Sequence, residues 1–251
     1  MTLHFLGWVF LKVKRMANQW FRFKQFTIRQ EKSAFKVGTD GVLLGAWADV
    51  AGVDSILDIG TGTGLLALML AQRSNADITA IEIDHPSSEE ALMNFRDSPW
   101  QDRINVEHTS LQDFKTDRKF DMVISNPPFF QNSMTPTDKG RKHSRHNTVL
   151  SPGELITYSK PLLKPTGRLC LVFPVDEGNS LRDLFLDAGL SLNRRMSVKP
   201  TPSIPVKRYL MEFRPYLVEF TAEDEITIEK DKRHDYTDEY RKLTGDFYLD
   251  F

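Results

Sequence analysis

Ser55-Ile56-Leu57-Asp58-Ile59-Gly60-Thr61-Gly62-Thr63-Gly64-Leu65 is the stretch on which the fold turns. Its first half is a short apolar run of strand length. Its second half places three glycines in five residues, and an apolar helical pattern then runs from Leu65 to about residue 73. Strand, glycine turn and helix form the opening unit of a nucleotide-binding α/β sheet, where glycine permits positive φ and close approach of backbone to ligand. In the dinucleotide fingerprint G-x-G-x-x-G, Leu65 stands where the third glycine belongs, so the NAD pattern fails. The Gly-Lys-Ser/Thr ending of a Walker loop is also missing. Taken alone, the turn has a second reading, a glycine joint that only packs strand against helix.

Downstream, the pattern continues as strand 78–83, helix 86–97, strand 104–108 and strand 120–125. Glu82 falls near the end of the second strand, about 20 residues past the glycine turn, where an acid meets ribose hydroxyls in such sheets. A solvated strand-end acid is the alternative. Asp113 and Phe114 follow the third strand, placed to accept from an adenine amino group and to flank its ring; a turn or cap is the simpler role for Asp113. After Phe120-Asp121-Met122-Val123-Ile124-Ser125 comes Asn126-Pro127-Pro128-Phe129. Two prolines cannot continue a central strand, so the chain breaks at its C-terminal end, where ligands bind in open α/β sheets. The break gathers an amide, proline carbonyls and an aromatic face, groups that hold a planar amine and stack on its ring. A turn with Phe129 in the core is the bland version.

These features, in this order at successive strand ends, resemble the class I S-adenosylmethionine-dependent methyltransferases, and the Asn-Pro-Pro-Phe quartet resembles the subset that methylates amino groups. The resemblance implies an α/β, Rossmann-like fold: a mixed sheet with parallel strands, an antiparallel C-terminal edge and helices on both faces. It implies S-adenosyl-L-methionine as cofactor, bound by Asp58, Gly60, Gly62, Gly64, Glu82, Asp113, Phe114 and Asn126. Asn126, Pro127 and Phe129 are the implied catalytic residues: the first two accept the amino protons and Phe129 stacks on the base.

Lys36-Val37-Gly38-Thr39-Asp40-Gly41-Val42-Leu43-Leu44-Gly45-Ala46-Trp47 and the segment from Tyr236 to Leu249 are similar to a narrower family, the bacterial valine-tRNA adenine-N6 methyltransferases. That resemblance implies methylation of the adenine just 3′ of the anticodon, with Lys36, Thr39 and Asp40 on the cofactor side. A protein glutamine methyltransferase, a DNA adenine methyltransferase and a non-catalytic RNA-binding module are the competing functions. The C-terminal segment argues against the first, the lack of a target-recognition domain against the second, and the intact Asn126 and glycine turn against the third.

The rest of the chain bounds these readings. With 251 residues and 40% hydrophobic content it can bury a sizeable core. One methyltransferase domain over 21–251 is expected, after an N-terminal extension over 1–20 that includes a short apolar run; Met16 is the expected natural start, and an amphipathic helix packed on the domain is the alternative. The single cysteine, Cys170, sits in an apolar run, excludes an intrachain disulfide and fits a reducing, cytoplasmic setting. A net charge of −1 gives no global pull toward nucleic acid, so tRNA binding needs a local patch. Lys139 to His146 supplies one, with Arg141, Lys142 and Arg145 as expected phosphate contacts; an ordinary solvated loop is the alternative. His143 and His146 have no acid or cysteine at ligand spacing, so no metal is expected. Phe21 to Gln30 alternates aromatic with basic or polar residues, as in a half-buried strand or hairpin, or an RNA-stacking surface. Ser151-Pro152-Gly153-Glu154 reads as a capping box opening a helix. After strand 168–174 and a helix from about 179 to 188, two strand-like runs flank the proline-rich 199–205.

Overall fold

The computed structural model describes residues 18–33, 35–127 and 150–251. In chain order the first elements are β1 (Trp20–Arg22), β2 (Thr27–Arg29), α1 (Thr39–Trp47), β3 (Ser55–Ile59) and α2 (Leu65–Arg73). Next come β4 (Asp77–Glu82), α3 (His85–Arg96), β5 (Ile104–His108), β6 (Phe120–Ser125), α4 (Pro152–Ser159) and β7 (Leu163–Pro174). The last are α5 (Val175–Asp187), β8 (Ser191–Lys199), β9 (Arg208–Arg214), β10 (Ala222–Thr227) and α6 (Asp238–Thr244).

The stretch from Ser55 to Leu65 forms β3, the glycine turn and the start of α2, as its pattern predicts. β3 is buried along its whole length at the middle of an eight-stranded sheet ordered β10-β8-β9-β7-β6-β3-β4-β5. It pairs in parallel with β4 on one side and β6 on the other. Strand order reverses between β3 and β6, which opens a crevice at their C-terminal ends. Because strand side chains alternate, β3 feeds two cores. Ile56 packs with Leu66, Met69 and Leu70 of α2, whereas Leu57 and Ile59 pack with Leu155 and Ile156 of α4 and Phe185 of α5. Helices therefore cover both faces, as the Rossmann-like architecture expected from the sequence requires.

Local chemistry sets the helix starts. Asp84 caps α3 by accepting the Ser87 N–H at 3.0 Å, and Ser151 with Glu154 forms the predicted capping box on α4. The first hairpin, β1 with β2, is a separate two-stranded sheet; Phe23, Phe26 and Ile28 bury its inner face, so the half-buried reading holds there.

The antiparallel pair expected at the C-terminal edge forms as β8 with β9, but one strand further in. β9 slots between β7 and β8, antiparallel to both, and β10 adds the outer edge in parallel with β8. The sequence hides β10 because Ala222-Glu223-Asp224-Glu225 is acidic and exposed. Cross-strand charge pairs accompany it: Arg195 with Glu223 at 2.8 Å and Lys199 with Glu225 at 2.7 Å. Cys170 is buried in β7, and burial pushes its thiol well above the usual range, as befits a packing residue. No helix among the described residues is long and apolar enough to cross a membrane. The N-terminal extension, with Met16 as expected start, lies outside the described residues apart from its last few.

Candidate active site

The glycine turn takes the backbone path that its composition allows. Gly60, Gly62 and Gly64 all lie at positive φ, at 67°, 57° and 85°. Their surroundings differ. A Cβ on Gly60 would meet nothing within 4 Å, and one on Gly62 only the Ser33 hydroxyl at 4.0 Å. A Cβ on Gly64 would sit 2.4 Å from Phe95 of α3. Gly60 and Gly62 thus leave open space beside the backbone, while Gly64 is packed against α3.

Glu82 anchors this turn. One carboxylate oxygen accepts the Gly62 N–H at 2.8 Å and the other accepts the Asp84 N–H at 2.9 Å. The side chain is almost fully buried, at 8% exposure, so it is no solvated strand-end acid. Asp58, at the end of β3, is wholly buried and accepts from the Thr61 hydroxyl at 2.6 Å. Burial raises its carboxyl to about 7, with the nearby Glu82 charge pushing the same way and the Thr61 hydroxyl opposing.

Across the crevice, the Ser125 hydroxyl donates to the Ile59 carbonyl at 2.8 Å and ties the end of β6 to the end of β3. Asn126 follows directly, partly exposed, with Pro127 buried beside it. The Asn126 amide nitrogen lies 3.6 Å from where a Cβ on Gly41 would stand, so the missing side chain on α1 leaves it room. Pro128 and Phe129 lie outside the described residues, as do Arg141, Lys142, Arg145, His143 and His146.

The other expected residues divide. Thr39 and Asp40 open α1 beside Gly41; Asp40 pairs with Arg208 Nε at 2.9 Å. Lys36 donates to the Gln30 carbonyl at 2.9 Å and to the Asn18 carbonyl at 3.4 Å, so its ammonium fastens the N-terminal hairpin. Asp113 is exposed and closes a local turn, accepting from the Ser110 hydroxyl at 2.7 Å. Phe114 is buried in the core with Ile59, Ile81 and Leu111, which leaves at most its edge for a ligand.

Two site-building residues escaped sequence reasoning. Glu90 of α3 is 1% exposed, and its carboxylate accepts the backbone N–H groups of Glu31, Lys32 and Ser33 at 2.5, 2.9 and 2.9 Å. Asn94, one turn later, accepts from Arg29 N–H at 2.9 Å and donates to the Thr63 carbonyl at 2.8 Å. Together they hold the segment before α1 against the glycine turn. The signal was present: both fall on the face of α3 that carries Ala91 and Phe95.

Glycine backbone open to a ligand, a buried strand-end acid and a buried Asp58 fit an adenosyl cofactor with ribose hydroxyls. The comparisons with known proteins agree. The family model described as "Methyltransferase small domain" matches residues 42–185. A tRNA1(Val) (adenine(37)-N6)-methyltransferase from Trichodesmium erythraeum is 46% identical over 241 residues, covering 94% of this chain and all of the relative. Among solved structures, a predicted O-methyltransferase from Agrobacterium tumefaciens superposes with a TM-score of 0.61 at 17% identity, covering 83% of this chain and 96% of its own. A glycopeptide N-methyltransferase complexed with S-adenosyl-L-methionine gives 0.52 at 13% identity, covering 72% and 96%. These two show the shared fold. The chain is a methyltransferase that uses S-adenosylmethionine, and it belongs to the methyltransferase small-domain family, alongside relatives of matching length that are tRNA1(Val) (adenine(37)-N6)-methyltransferases.

Proposed function

We propose that this protein methylates the exocyclic N6 of adenine 37, just 3′ of the anticodon, in a valine tRNA, and does so in the cytoplasm. The observation that carries the reading is the position of Asn126: at the C-terminal end of β6, beside the glycine turn of β3, in a chain 94% of which aligns with the whole of a relative of that activity. The cofactor supplies a methyl group already activated on a sulfonium, so neither a metal nor a covalent enzyme intermediate is needed.

The protein's part is orientation. The adenine amine is a weak nucleophile because its lone pair is delocalised into the ring. The Asn126 side-chain oxygen and the Pro127 carbonyl accept hydrogen bonds from its two N–H groups and favour a tetrahedral nitrogen. That nitrogen gives up one proton to solvent once the N–C bond has formed and the sulfonium C–S bond has broken. Phe129 stacks on the base, a contact worth roughly 1–3 kcal/mol. Positioning of this kind supplies most of the rate. Turning a base out costs less in an anticodon loop than in a paired stem. Glu82 and the Gly60–Gly62 backbone hold the cofactor, and Arg141, Lys142 and Arg145 contact flanking phosphates.

The test is labelled methyl transfer into tRNA from a strain lacking the gene, followed by nucleoside mapping. N6-methyladenosine at position 37 of valine tRNA is expected. Transfer into a glutamine side chain or into DNA, with none into tRNA, overturns the reading.

A further inference from the structure

Strand direction places a second group of residues at the sheet edge that carries Asn126. β9 runs against both β7 and β8, so β8 and β10 point the same way as β6 and β7. The turn after β8, residues 200–207, and the hairpin after β10, residues 228–237, therefore leave the sheet on that edge. Backbone bonds join the two: Ile228 N–H donates to the Lys199 carbonyl at 2.9 Å, and Glu229 N–H to the Pro200 carbonyl at 2.9 Å. The unit is also joined inward. Arg208 Nε donates to Asp40 at 2.9 Å, and Asp40 is the neighbour of Gly41, which faces the Asn126 amide.

This unit presents cations. Lys207, Lys230, Lys232 and Arg233 are exposed, with His234 beside them. Of the nearby acids, Glu229 accepts the His234 N–H at 2.8 Å, and Asp235 and Asp238 lie about Lys230 at 4.0 and 3.9 Å; Asp231 is exposed. His234 carries a second observation. Its φ is 68°, the one positive value at a non-glycine among the described residues. Glycine or asparagine adopts that conformation more cheaply. The turn enforces it through Lys230 N–H to Asp235 O at 2.7 Å and Asp235 N–H to Lys232 O at 3.0 Å. The ring meets the Tyr236 hydroxyl through Nδ1 at 3.3 Å, and a strained backbone kept at an exposed tip, flanked by Lys232 and Arg233, points to a contact outside the molecule.

We propose that the 200–207 turn and the 228–237 hairpin form an RNA-gripping surface for the sugar-phosphate backbone of the anticodon arm, beside the base presented to Asn126. The proposal rests on the tRNA reading above. The surface neutralises phosphates and does no chemistry, so it governs tRNA affinity and not the methyl-transfer step. Lys207, Lys232 and Arg233 carry the charge, and His234 adds a hydrogen-bonding ring.

The experiment measures tRNA binding directly, by fluorescence anisotropy over a salt series, for the unaltered protein and for Lys207→Ala/Lys232→Ala/Arg233→Ala. Melting temperature and S-adenosylmethionine affinity are measured alongside. A loss of affinity of about tenfold or more is expected, with the salt slope flatter by about 2, because each phosphate contact contributes roughly 0.7–0.9. KM for tRNA should rise with kcat unchanged, and a Lys207→Arg/Lys232→Arg/Arg233→Lys variant should restore binding. Unchanged affinity and slope in the alanine variant overturn the proposal, whether or not the protein methylates tRNA. Normal tRNA binding by the unaltered protein without methyl transfer overturns the functional reading and leaves the surface standing. No tRNA binding by the unaltered protein overturns both.

Discussion

The Glu82 carboxylate accepts the N–H of Gly62 at 2.8 Å, across 20 residues of sequence, and so welds the end of β4 to the glycine turn. The acid proposed to meet the ribose hydroxyls is thus also the prop that shapes the turn. Glu82→Gln should fold and lose S-adenosylmethionine affinity by roughly 10–100-fold, matching the roughly 1.5–3 kcal/mol of a hydrogen bond to a charged group. Isothermal calorimetry checks the affinity, and a thermal melt should show a modest loss of stability. Unchanged affinity would remove Glu82 from the cofactor site.

The glycines of the turn should separate by experiment. Gly64→Ala puts a methyl 2.4 Å from Phe95 in a left-handed conformation, so it should cost several kcal/mol and lower the melting temperature sharply. Gly60→Ala meets no atom within 4 Å and should cost only about 1–2 kcal/mol of backbone strain. Its larger effect should be on cofactor binding, because the methyl fills the ligand's approach. Equal loss of stability in the two variants would contradict this division.

Asp58 makes stability depend on pH in a stated direction. Its folded value of about 7 lies above the ordinary 3.8, so between these limits the folded protein keeps a proton that the unfolded chain has released. Its contribution is fully present below pH 3.8 and is lost as the pH climbs through 7. Asp58→Asn removes this dependence. Urea titrations at pH 5 and pH 8 should show the unaltered protein losing stability relative to the variant as pH rises; the opposite trend would refute the protonated buried acid.

Asn126→Ala should cut turnover by roughly 100-fold, the scale of a misplaced reacting group, with little change in cofactor affinity. β6, which ends at Asn126, and β4, which ends at Glu82, flank β3 on opposite sides, and the role proposed for the amide is toward the substrate amine. Single-turnover methyl transfer with saturating tRNA is the measurement. Near-normal turnover would end the assigned role.

Glu90→Gln should loosen the segment from Glu31 to Ser33, because an amide cannot accept three backbone N–H groups as the carboxylate does. Hydrogen exchange at those three amides should quicken, and cofactor KM should rise while kcat holds. Protection unchanged from that of the unaltered protein would show that other contacts hold the segment.

The central sheet was legible because its signals are local. β3, α2, β5 and β6 form within a residue of their predicted spans, since each is a short apolar or periodic run; Gly60 ends the first and the Asn126-Pro127 break ends the last. The crevice was legible for the same reason, as Gly60, Glu82 and Asn126 each sit where a strand must stop. What stayed hidden depends on partners distant in sequence. β10 is acidic and becomes a strand only against the arginines and lysine of β8. Glu90 looks like any helix-surface acid until the Glu31–Ser33 backbone arrives. Lys36 and Phe114 look available for a ligand, yet one is spent on the Gln30 carbonyl and the other on the core.

The β1–β2 hairpin is finished by residues more than 200 positions later in the chain. Lys24 reaches the carbonyls of Gly245 and Phe251, and its N–H donates to Phe247 at 2.8 Å, while Phe21 and Phe23 rest on Tyr248. Lys24 and Gly245 stand 221 residues apart. At about 5–20 residues per second, the hairpin leaves the ribosome roughly 10–45 s before its cover does. The faces of Phe21 and Phe23 that meet Tyr248 stay uncovered for that interval. A chain that stalls before Gly245 therefore leaves Lys24 without these carbonyl partners, and Phe21 and Phe23 without the Tyr248 ring, while Phe26 already rests on Trp100.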